Sequence, residues 1–289
     1  MHCCAACGIA GVDDIKLKDC NDCDLVKYCS DDCQKDHRPK HEEDCRRRAA
    51  ELKDEILFKQ PESTHLGDCP LCCLPLPIDP NKFGLYCCCC KRLCVGCMYA
   101  NTKREAEQRG FLLPTCPFCR ETMSKTDEEE NERLVKRVNA NDPVAICKMG
   151  TNKHYEGDYT AAFEYWTKAA ALGDVNAHYQ LSTLYFDGKG VEKDEEKELH
   201  HLKEASIGGH AEARHNLGCV EKKNGRMDRA AKHWIIAAKL GKDESLTNVK
   251  VLYQHGLVSK DDFAAALRGY QAAIAATKSP QREQFCYKA

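Results

Sequence analysis

The chain has 289 residues, 22 cysteines and a formal net charge of -2. This near-neutral balance disfavours a general polyanion-binding surface, because nonspecific nucleic-acid affinity comes from clustered lysines and arginines. No apolar segment reaches the roughly 18 residues that span a bilayer, and the N-terminus has no basic stretch followed by an apolar run. We therefore expect a soluble intracellular protein, in cytoplasm or nucleus, that contacts neither nucleic acid nor membrane.

The cysteines are unevenly distributed along the chain. Nineteen of them precede residue 120 and only three follow it. In a reducing compartment, cysteines at short paired spacings indicate metal sites rather than disulfides. The sequence thus predicts a zinc-stabilised front half with about four Zn²⁺ ions, two in each of two finger modules, and a back half stabilised in another way.

The first module contains four pairs of potential metal ligands. Two residues between paired cysteines let both sulfurs reach one ion, and three residues place His41 and Cys45 on one face of a helix. The eight predicted ligands are Cys4, Cys7, Cys20, Cys23, Cys29, Cys33, His41 and Cys45. Eight ligands complete two closed tetrahedral sites, which are structural because no position remains for water.

The segment YCSDDCQKDHRPKHEEDC in this module resembles the end of a MYND-type zinc finger. The resemblance implies that the two sites interleave along the chain. One ion would be held by Cys4, Cys7, Cys29 and Cys33, and the other by Cys20, Cys23, His41 and Cys45. MYND fingers commonly bind proline-rich peptides through a surface with a Gln and a Trp. Gln34 matches the first, whereas Arg38 stands in the Trp position and disfavours an apolar peptide platform.

The second module contains a first knuckle CPLC, the run LYCCCCKRLCVGC and a final CPFCR. This outline resembles a RING finger. In the RING cross-brace, one ion would be held by Cys69, Cys72, Cys94 and Cys97, and the other by two central residues with Cys116 and Cys119. The usual RING spacing selects Cys88 and Cys90 as the central pair. Related sequences with a CCGK-x-I-C knuckle instead favour Cys88 and Cys89, the pair that we prefer.

Three residues of this module resemble those by which active RING ligases recruit a ubiquitin-conjugating enzyme. They are Leu71, Pro117 and Arg120. An arginine at the last position can hydrogen-bond both ubiquitin and the conjugating enzyme. Such ligases often carry a Trp between the sixth and seventh ligands, where Phe111 would have to serve. The resemblance therefore raises the hypothesis of a RING-type ubiquitin ligase.

The back half repeats itself. Gly173, Gly209 and Gly241 fall in register in three similar segments, with repeat lengths of 36 and 32 residues. A period of that size indicates stacked helical pairs. We expect Ala177, Leu181, Leu184 and Tyr185 on the buried face of the first helix of the middle pair, and Leu199, Leu202 and Ala205 on that of the second.

The unit LxxLYxDGKGVEKDxxKxLxxLKEA, which starts at Leu181, resembles Sel-one-like repeats, relatives of the tetratricopeptide class. The copy at 177–209 fits best, and 245–277 is interpreted as a degenerate capping pair. The resemblance implies an α-solenoid that scaffolds protein assemblies. The other copies lack the four-residue GKGV insertion.

The sequence therefore predicts small zinc-stabilised domains followed by an all-α solenoid. The expected segments are a MYND finger at 1–45, a helical linker at 46–66, a RING-like finger at 67–122, a charged helical linker at 123–142, the repeats at 143–277 and a flexible tail at 278–289. No nucleophile with a base and an orienting acid is evident. The favoured function is a zinc-binding adaptor whose MYND finger and repeats bind proteins, and the alternative is the ubiquitin ligase.

Overall fold

The computed structural model describes residues 3–9, 11, 16–110 and 114–286, with only the backbone described for residue 109 and for 284–286. The described chain forms two compact units, Met1–Lys59 and Gln60–Ala289. No helix in the described part is at once long and apolar enough to cross a bilayer.

The first unit contains a short hairpin and one long helix. Strands β1 (Lys18–Asp19) and β2 (Lys27–Tyr28) pair antiparallel, and helix α1 covers Asp31–Leu57. Ser30 caps α1 by accepting a hydrogen bond from the backbone N–H of Cys33, and two aspartates follow in the first turn, where the helix dipole favours negative charge. Few of the side chains of α1 are buried, so the core of this unit lies among its cysteines and Tyr28.

The second unit begins with the Cys-rich segment, which we call the second finger (residues 67–122). Its elements are a 3-10 turn at Pro80–Lys82, strands β3 (Phe83–Tyr86) and β4 (Lys91–Cys94) in an antiparallel hairpin, and helix α2 (Val95–Arg109). The four-cysteine run is the loop of the hairpin, because Tyr86 pairs with Lys91. Leu76, Tyr86 and Leu93 form a small core with the surrounding cysteines.

Ten further helices follow the second finger in the described residues. They are α3 (Asp127–Asn139), α4 (Pro143–Tyr155), α5 (Tyr159–Ala171), α6 (Val175–Asp187), α7 (Glu195–Ile207), α8 (Ala211–Lys223), α9 (Met227–Lys239), α10 (Asp243–Gln254), α11 (Lys260–Ala276) and α12 (Pro280–Cys286). Consecutive helices from α4 to α11 pack in pairs, so the predicted solenoid of helical pairs is confirmed. The linker helix expected before it is α3, with Leu134 buried.

A 16-residue period underlies the repeats. The residues that precede the helices from α4 to α10 are Asp142, Asp158, Asp174, Asp194, His210, Arg226 and Lys242. Successive members are 16 residues apart, except that the GKGV insertion lengthens one interval by four. Asp142, Asp158 and Asp174 accept hydrogen bonds from backbone N–H groups in the next turn, as capping residues do.

A left-handed residue precedes most of these caps. Gly173, Gly209 and Gly241 have φ values of 86°, 83° and 97°, so the glycines that were in register in the sequence sit where each chain reversal needs positive φ. Asn141 takes the same conformation without being a glycine, with φ of 55°. The repeat therefore reuses one turn between helices within a pair and between pairs.

The core of the solenoid repeats with the caps. In two of the helix pairs the eighth residues of the two helices face each other: Gly150 faces Trp166, and Gly218 faces Trp234. The middle pair has Ser182 and Leu202 at these positions, and both are buried. Ala177, Leu181, Leu184, Tyr185, Leu202 and Ala205 are buried as the sequence predicted, whereas Leu199 is half-buried.

The second finger packs directly against the helices. Cys87 in its hairpin loop shares a buried cluster with Leu134 of α3 and with Ala145 and Met149 of α4. His65, just before the finger, stacks on His210 with ring centroids 4.2 Å apart, and its backbone N–H donates to the carbonyl of Gly209. Within the segment predicted to be a flexible tail, Pro280–Cys286 form α12, which packs against α2.

Candidate metal centres

The first unit brings its predicted ligands into two clusters. Within each, the donor atoms lie within 4.8 Å of one another; the groups are Cys4, Cys7, Cys29 and Cys33, and Cys20, Cys23, His41 and Cys45. In the first, the Cys29 sulfur lies 3.6 Å from the sulfurs of Cys7 and Cys33. These sets have the interleaved order that the MYND resemblance implied, and the roles of the individual residues as ligands stay a prediction.

Helix α1 supplies the last two donors of the second cluster. His41 and Cys45 are one helical turn apart, so both side chains project from the same face. His41 is buried with 6% of its surface exposed, and its Nε2 lies 3.2 Å from the Cys23 sulfur. The Cys20 and Cys45 sulfurs are 3.7 Å apart. A histidine and three thiols at such distances form the donor set of a structural zinc site.

The second finger forms two more clusters with the cross-braced order. Their donors again lie within 4.8 Å of one another; the groups are Cys69, Cys72, Cys94 and Cys97, and Cys88, Cys89, Cys116 and Cys119. The Cys72 and Cys94 sulfurs are 3.9 Å apart, and the Cys89 and Cys116 sulfurs are 3.6 Å apart. The hairpin β3–β4 and the start of α2 supply one half of each donor set, and the knuckles that start at Cys69 and Cys116 supply the other half.

A common backbone turn places the paired sulfurs. The residue after the second cysteine of a pair has positive φ in four cases: Gly8 (77°), Cys73 (54°), Cys90 (53°) and Arg120 (61°). In the knuckle that starts at Cys69, the N–H of Cys73 donates to the Cys69 carbonyl and the Cys69 N–H donates to that of Leu74. The knuckle at Cys116 has the same two bonds, from Arg120 to Cys116 and from Cys116 to Glu121.

The four-cysteine run divides between two environments. Cys88 and Cys89 join the cluster with Cys116 and Cys119, whereas the Cys87 sulfur donates to a carboxylate oxygen of Glu130 on α3 at 3.0 Å. Burial raises the pKa of the Cys87 thiol to about 12, and Glu130 adds to the rise, so this thiol stays protonated as the hydrogen bond requires. Cys90 occupies the left-handed turn position and packs towards α3 and α4.

Cys89 and Cys90 are the alternatives for the ligand that accompanies Cys88, and we predict opposite outcomes when they are replaced. Cys90→Gly should retain four zinc ions, since glycine suits positive φ, with a free energy of unfolding within about 1 kcal/mol of the unaltered chain. Cys89→Ser should lose one ion. Native mass spectrometry counts the ions, and Cys73→Ser, an exposed cysteine at an equivalent turn, is the matched control. A chain that loses an ion with Cys90→Gly and keeps four with Cys89→Ser would assign the site to Cys88 and Cys90.

The backbone also favours one thiolate in each of two clusters. Hydrogen bonds from the backbone N–H groups of Cys7 and Cys29 lower the pKa of Cys4 to about 6. Burial raises the pKa of Cys69, but backbone N–H groups of Cys94, Cys72 and Leu71 outweigh it and lower the value to about 7. In the cluster of Cys4, side-chain hydrogen bonds with Cys7 and Cys33 favour the protonated thiol of Cys29 and raise its pKa to about 12.

This pattern fits a divalent cation at the centre of each cluster. Several thiolates a few ångströms apart repel one another, and an ion between them removes that repulsion. Sulfur and imidazole donors in sets of four are the ligands of Zn²⁺. The chain therefore carries about four zinc sites, and each set of four donors leaves no open coordination position.

The comparisons with known proteins agree with this architecture. Residues 4–45 match the family model of the MYND finger. Residues 144–174 and 175–210 match the model of the Sel1 repeat. A protein called DAP3-binding cell death enhancer 1 is 27% identical in Mus musculus, over 47% of this chain and 34% of the relative, and 26% identical in Rattus norvegicus, over 49% and 36%. The chain thus spans about a third of the length of these curated relatives.

Solved structures of Sel1-type proteins resemble the helical part. A Sel1 repeat protein from Oxalobacter formigenes is 23% identical, with a TM-score of 0.46 over 64% of this chain and 71% of that one. A protective antigen of uropathogenic Escherichia coli with an SLR fold is 20% identical, with a TM-score of 0.42 over 57% and 37%. The matches to the MYND and Sel1 models, the four clusters of metal donors and the paired helices confirm the predicted fold class, zinc-binding domains followed by a helical solenoid.

The MYND finger has a small cavity beside its second cluster. The cavity has a volume of about 250 Å³ and is lined by Tyr28, Gln34 and Arg38 among others. The Gln34 amide lies 3.7 Å from the Cys20 sulfur, and an Arg38 nitrogen lies 3.9 Å from a carboxylate oxygen of Asp22. A charged, hydrated guanidinium therefore occupies the place where the resemblance expects an indole.

The second finger presents two of its three ligase-like residues to solvent. Leu71 is 43% exposed and Arg120 is exposed, whereas Pro117 is half-buried. Phe111 lies outside the described residues. The sequence pattern did not reveal two other polar contacts of this finger, Glu130 on Cys87 and Arg282 on Cys72, because each joins residues far apart in the chain.

Proposed function

We propose that this chain is a zinc-stabilised adaptor whose MYND finger and Sel1 solenoid bind protein partners. The observation that carries the proposal is the closure of all four metal clusters, each with four protein donors. A closed site leaves no coordination position for water or substrate, so its metal stabilises a surface instead of performing chemistry. The zinc ligands proposed for these structural sites are the sixteen residues of the four clusters.

The solenoid supports this function through its exposed apolar side chains. Tyr155 at the end of α4 is 84% exposed, and Phe186 at the end of α6 is 63% exposed. These helices are the first members of consecutive pairs, so the repeat places both rings at the same, C-terminal end of the first helices. Aromatic residues are enriched among those that dominate the binding energy of interfaces. We propose that a partner with an apolar segment binds this end.

The relatives point in the same direction. The name of the two rodent proteins describes binding to another protein, DAP3. A protein partner of this chain is consistent with that description. The similarity does not identify the partner. The similar Sel1-type structures show the fold and add no partner.

Chemical crosslinking and capture from native extract should test the adaptor function. We expect Tyr155→Ser with Phe186→Ser to remove at least one captured protein that the unaltered chain retains, because an apolar anchor is lost. The matched control is Leu172→Ser with Ile207→Ser, which alters two exposed apolar side chains at the ends of the second helices α5 and α7. Identical capture by all three chains would contradict the assignment of this surface.

The same capture distinguishes the ligase hypothesis, which the exposure of Leu71 and Arg120 favours. In that case a ubiquitin-conjugating enzyme would be retained by the unaltered chain and lost with Leu71→Ala. The solenoid or the MYND finger would then select the substrate. If no ubiquitin-conjugating enzyme is captured, the adaptor is the function that the fold supports.

A further inference from the structure

Helix α12 approaches the start of α2 unusually closely. A Cβ atom added to Gly96 would lie 2.9 Å from the Cα of Arg282 and 3.0 Å from the carbonyl oxygen of Gln281. The absence of a side chain at Gly96 therefore permits this contact. The Gln281 amide also donates to the Gly96 carbonyl at 3.4 Å. Gly96 lies between Cys94 and Cys97, so the helix packs beside one metal cluster.

Arg282 joins α12 to the first knuckle of the second finger. Its side chain donates to the carbonyl oxygens of Leu74 and Pro75 at 3.1 and 2.8 Å, and its Nη2 lies 3.2 Å from the Cys72 sulfur. A further bond to the Thr277 carbonyl at 2.7 Å fixes the guanidinium relative to the end of α11. One side chain thus connects residues about 210 positions apart.

The burial of this arginine calls for a compensating negative charge. Arg282 is only 7% exposed, and within the described residues no carboxylate lies within ion-pair distance of it. Buried charges in proteins are paired or coordinate metals, because desolvation is otherwise costly. The Cys72 sulfur, which the guanidinium contacts, belongs to one of the clusters of four cysteines. Four thiolates around one Zn²⁺ would leave that site with a net negative charge, which the single guanidinium offsets in part.

We propose that Arg282 is a positioning residue for the zinc site of Cys69, Cys72, Cys94 and Cys97, and that this site in turn holds α12 against the second finger. The inference rests on the zinc sites of the proposed function. Groups that hydrogen-bond to metal ligands orient them, and their loss typically weakens metal affinity about 10–100-fold. Arg282 has this relation to the Cys72 sulfur.

The test is the rate at which each zinc ion passes to a chromogenic chelator, with the ions that remain counted by native mass spectrometry. We expect Arg282→Met to release one of four ions about 10-fold faster than the unaltered chain, and the other three at unchanged rates. Arg282→Lys keeps the charge and should lie between the two. Arg268→Met on the exposed face of α11 is the matched control and should match the unaltered chain.

Hydrogen exchange gives a second readout that does not depend on the release kinetics. In the unaltered chain, the amides of α12 should exchange faster once the ion held by Cys69, Cys72, Cys94 and Cys97 has left, and unchanged exchange would contradict the part of the proposal in which this site holds α12. The proposal is overturned if all four ions leave Arg282→Met at the rates of the control, or if all four leave faster together, which would show a general loss of fold. An unaltered chain that binds no zinc would instead overturn the zinc sites themselves.

Discussion

Removal of zinc should unfold the two fingers and leave the solenoid helical. The apolar cores of the fingers are small and consist largely of the proposed ligands: Tyr28 is the buried aromatic residue among the cysteines of the first unit, and Leu76, Tyr86 and Leu93 are the larger members in the second finger. Zinc binding in isolated fingers is worth about 10–16 kcal/mol per site at neutral pH, which exceeds the stability of most domains. The solenoid has its own core around Trp166 and Trp234.

Limited proteolysis and far-UV circular dichroism with a strong chelator should check this prediction. We expect rapid cleavage within residues 1–120 and retention of most of the helical signal, with readdition of Zn²⁺ restoring protection. Magnesium added in place of zinc is the control, because thiolates are poor ligands for that ion. Protection of both fingers in protein that elemental analysis shows to be metal-free would contradict the structural role of zinc.

Helices α3 and α12 should respond to the same treatment as the finger that they contact. Cys87 packs against Leu134 of α3, and Arg282 of α12 binds the first knuckle. These contacts are lost when the finger unfolds. The boundary of the chelator-sensitive region therefore follows packing in the fold rather than the limits of the Cys-rich sequence.

The spacing of cysteines was sufficient to find the paired ligands, whereas their grouping into clusters came from the resemblance to MYND and RING fingers, and the division of the four-cysteine run stayed open between two pairs. Paired spacings act locally, since two residues between cysteines determine whether both sulfurs can reach one ion. The division of the run depends on the left-handed turn at Cys90 and on Glu130, which is 43 residues from Cys87. Neither the turn nor the distant carboxylate is visible in the spacing.

The helical repeat was visible from its glycines, but its finer period was not. The GKGV insertion hides the 16-residue interval between caps, so the sequence suggested repeat lengths of 36 and 32 rather than one repeated turn. The tail is predicted to be flexible because chain termini are often poorly ordered. Its residues Pro280–Cys286 form α12, in which Arg282 and Gln281 bond to the second finger, and the local sequence does not encode these tertiary contacts.

The repeated glycine and tryptophan pairs lead to a second prediction with a large effect. A Cβ atom on Gly150 would lie 2.7 Å from the Trp166 ring, which is fully buried and donates its Nε1–H to the Cys147 carbonyl at 3.1 Å. Gly150→Ser should therefore overpack this crossing and cost about 1–3 kcal/mol. Replacing the tryptophan leaves a cavity; Trp→Ala costs about 3–5 kcal/mol, and Trp166→Leu should approach the lower figure.

The double variant should cost less than the sum of the single variants, since the middle repeat already uses this pairing. Ser182 and Leu202 hold the equivalent positions of α6 and α7 and are both buried. Direct neighbours typically couple by about 0.5–3 kcal/mol. Urea unfolding of the zinc-saturated chain, followed by circular dichroism, measures the coupling as the difference between the double variant and the sum.

A distant pair provides the control for this cycle. Gly150→Ser combined with Trp234→Leu alters an equivalent tryptophan whose ring contacts Gly218 instead, so the two costs should add within about 0.5 kcal/mol. Equal non-additivity in both cycles would contradict direct packing of Gly150 on Trp166 as the source of the coupling. Coupling confined to Gly150 and Trp166 would show that each helical crossing is packed as a separate element, which allows one repeat to be altered while its neighbours keep their surfaces.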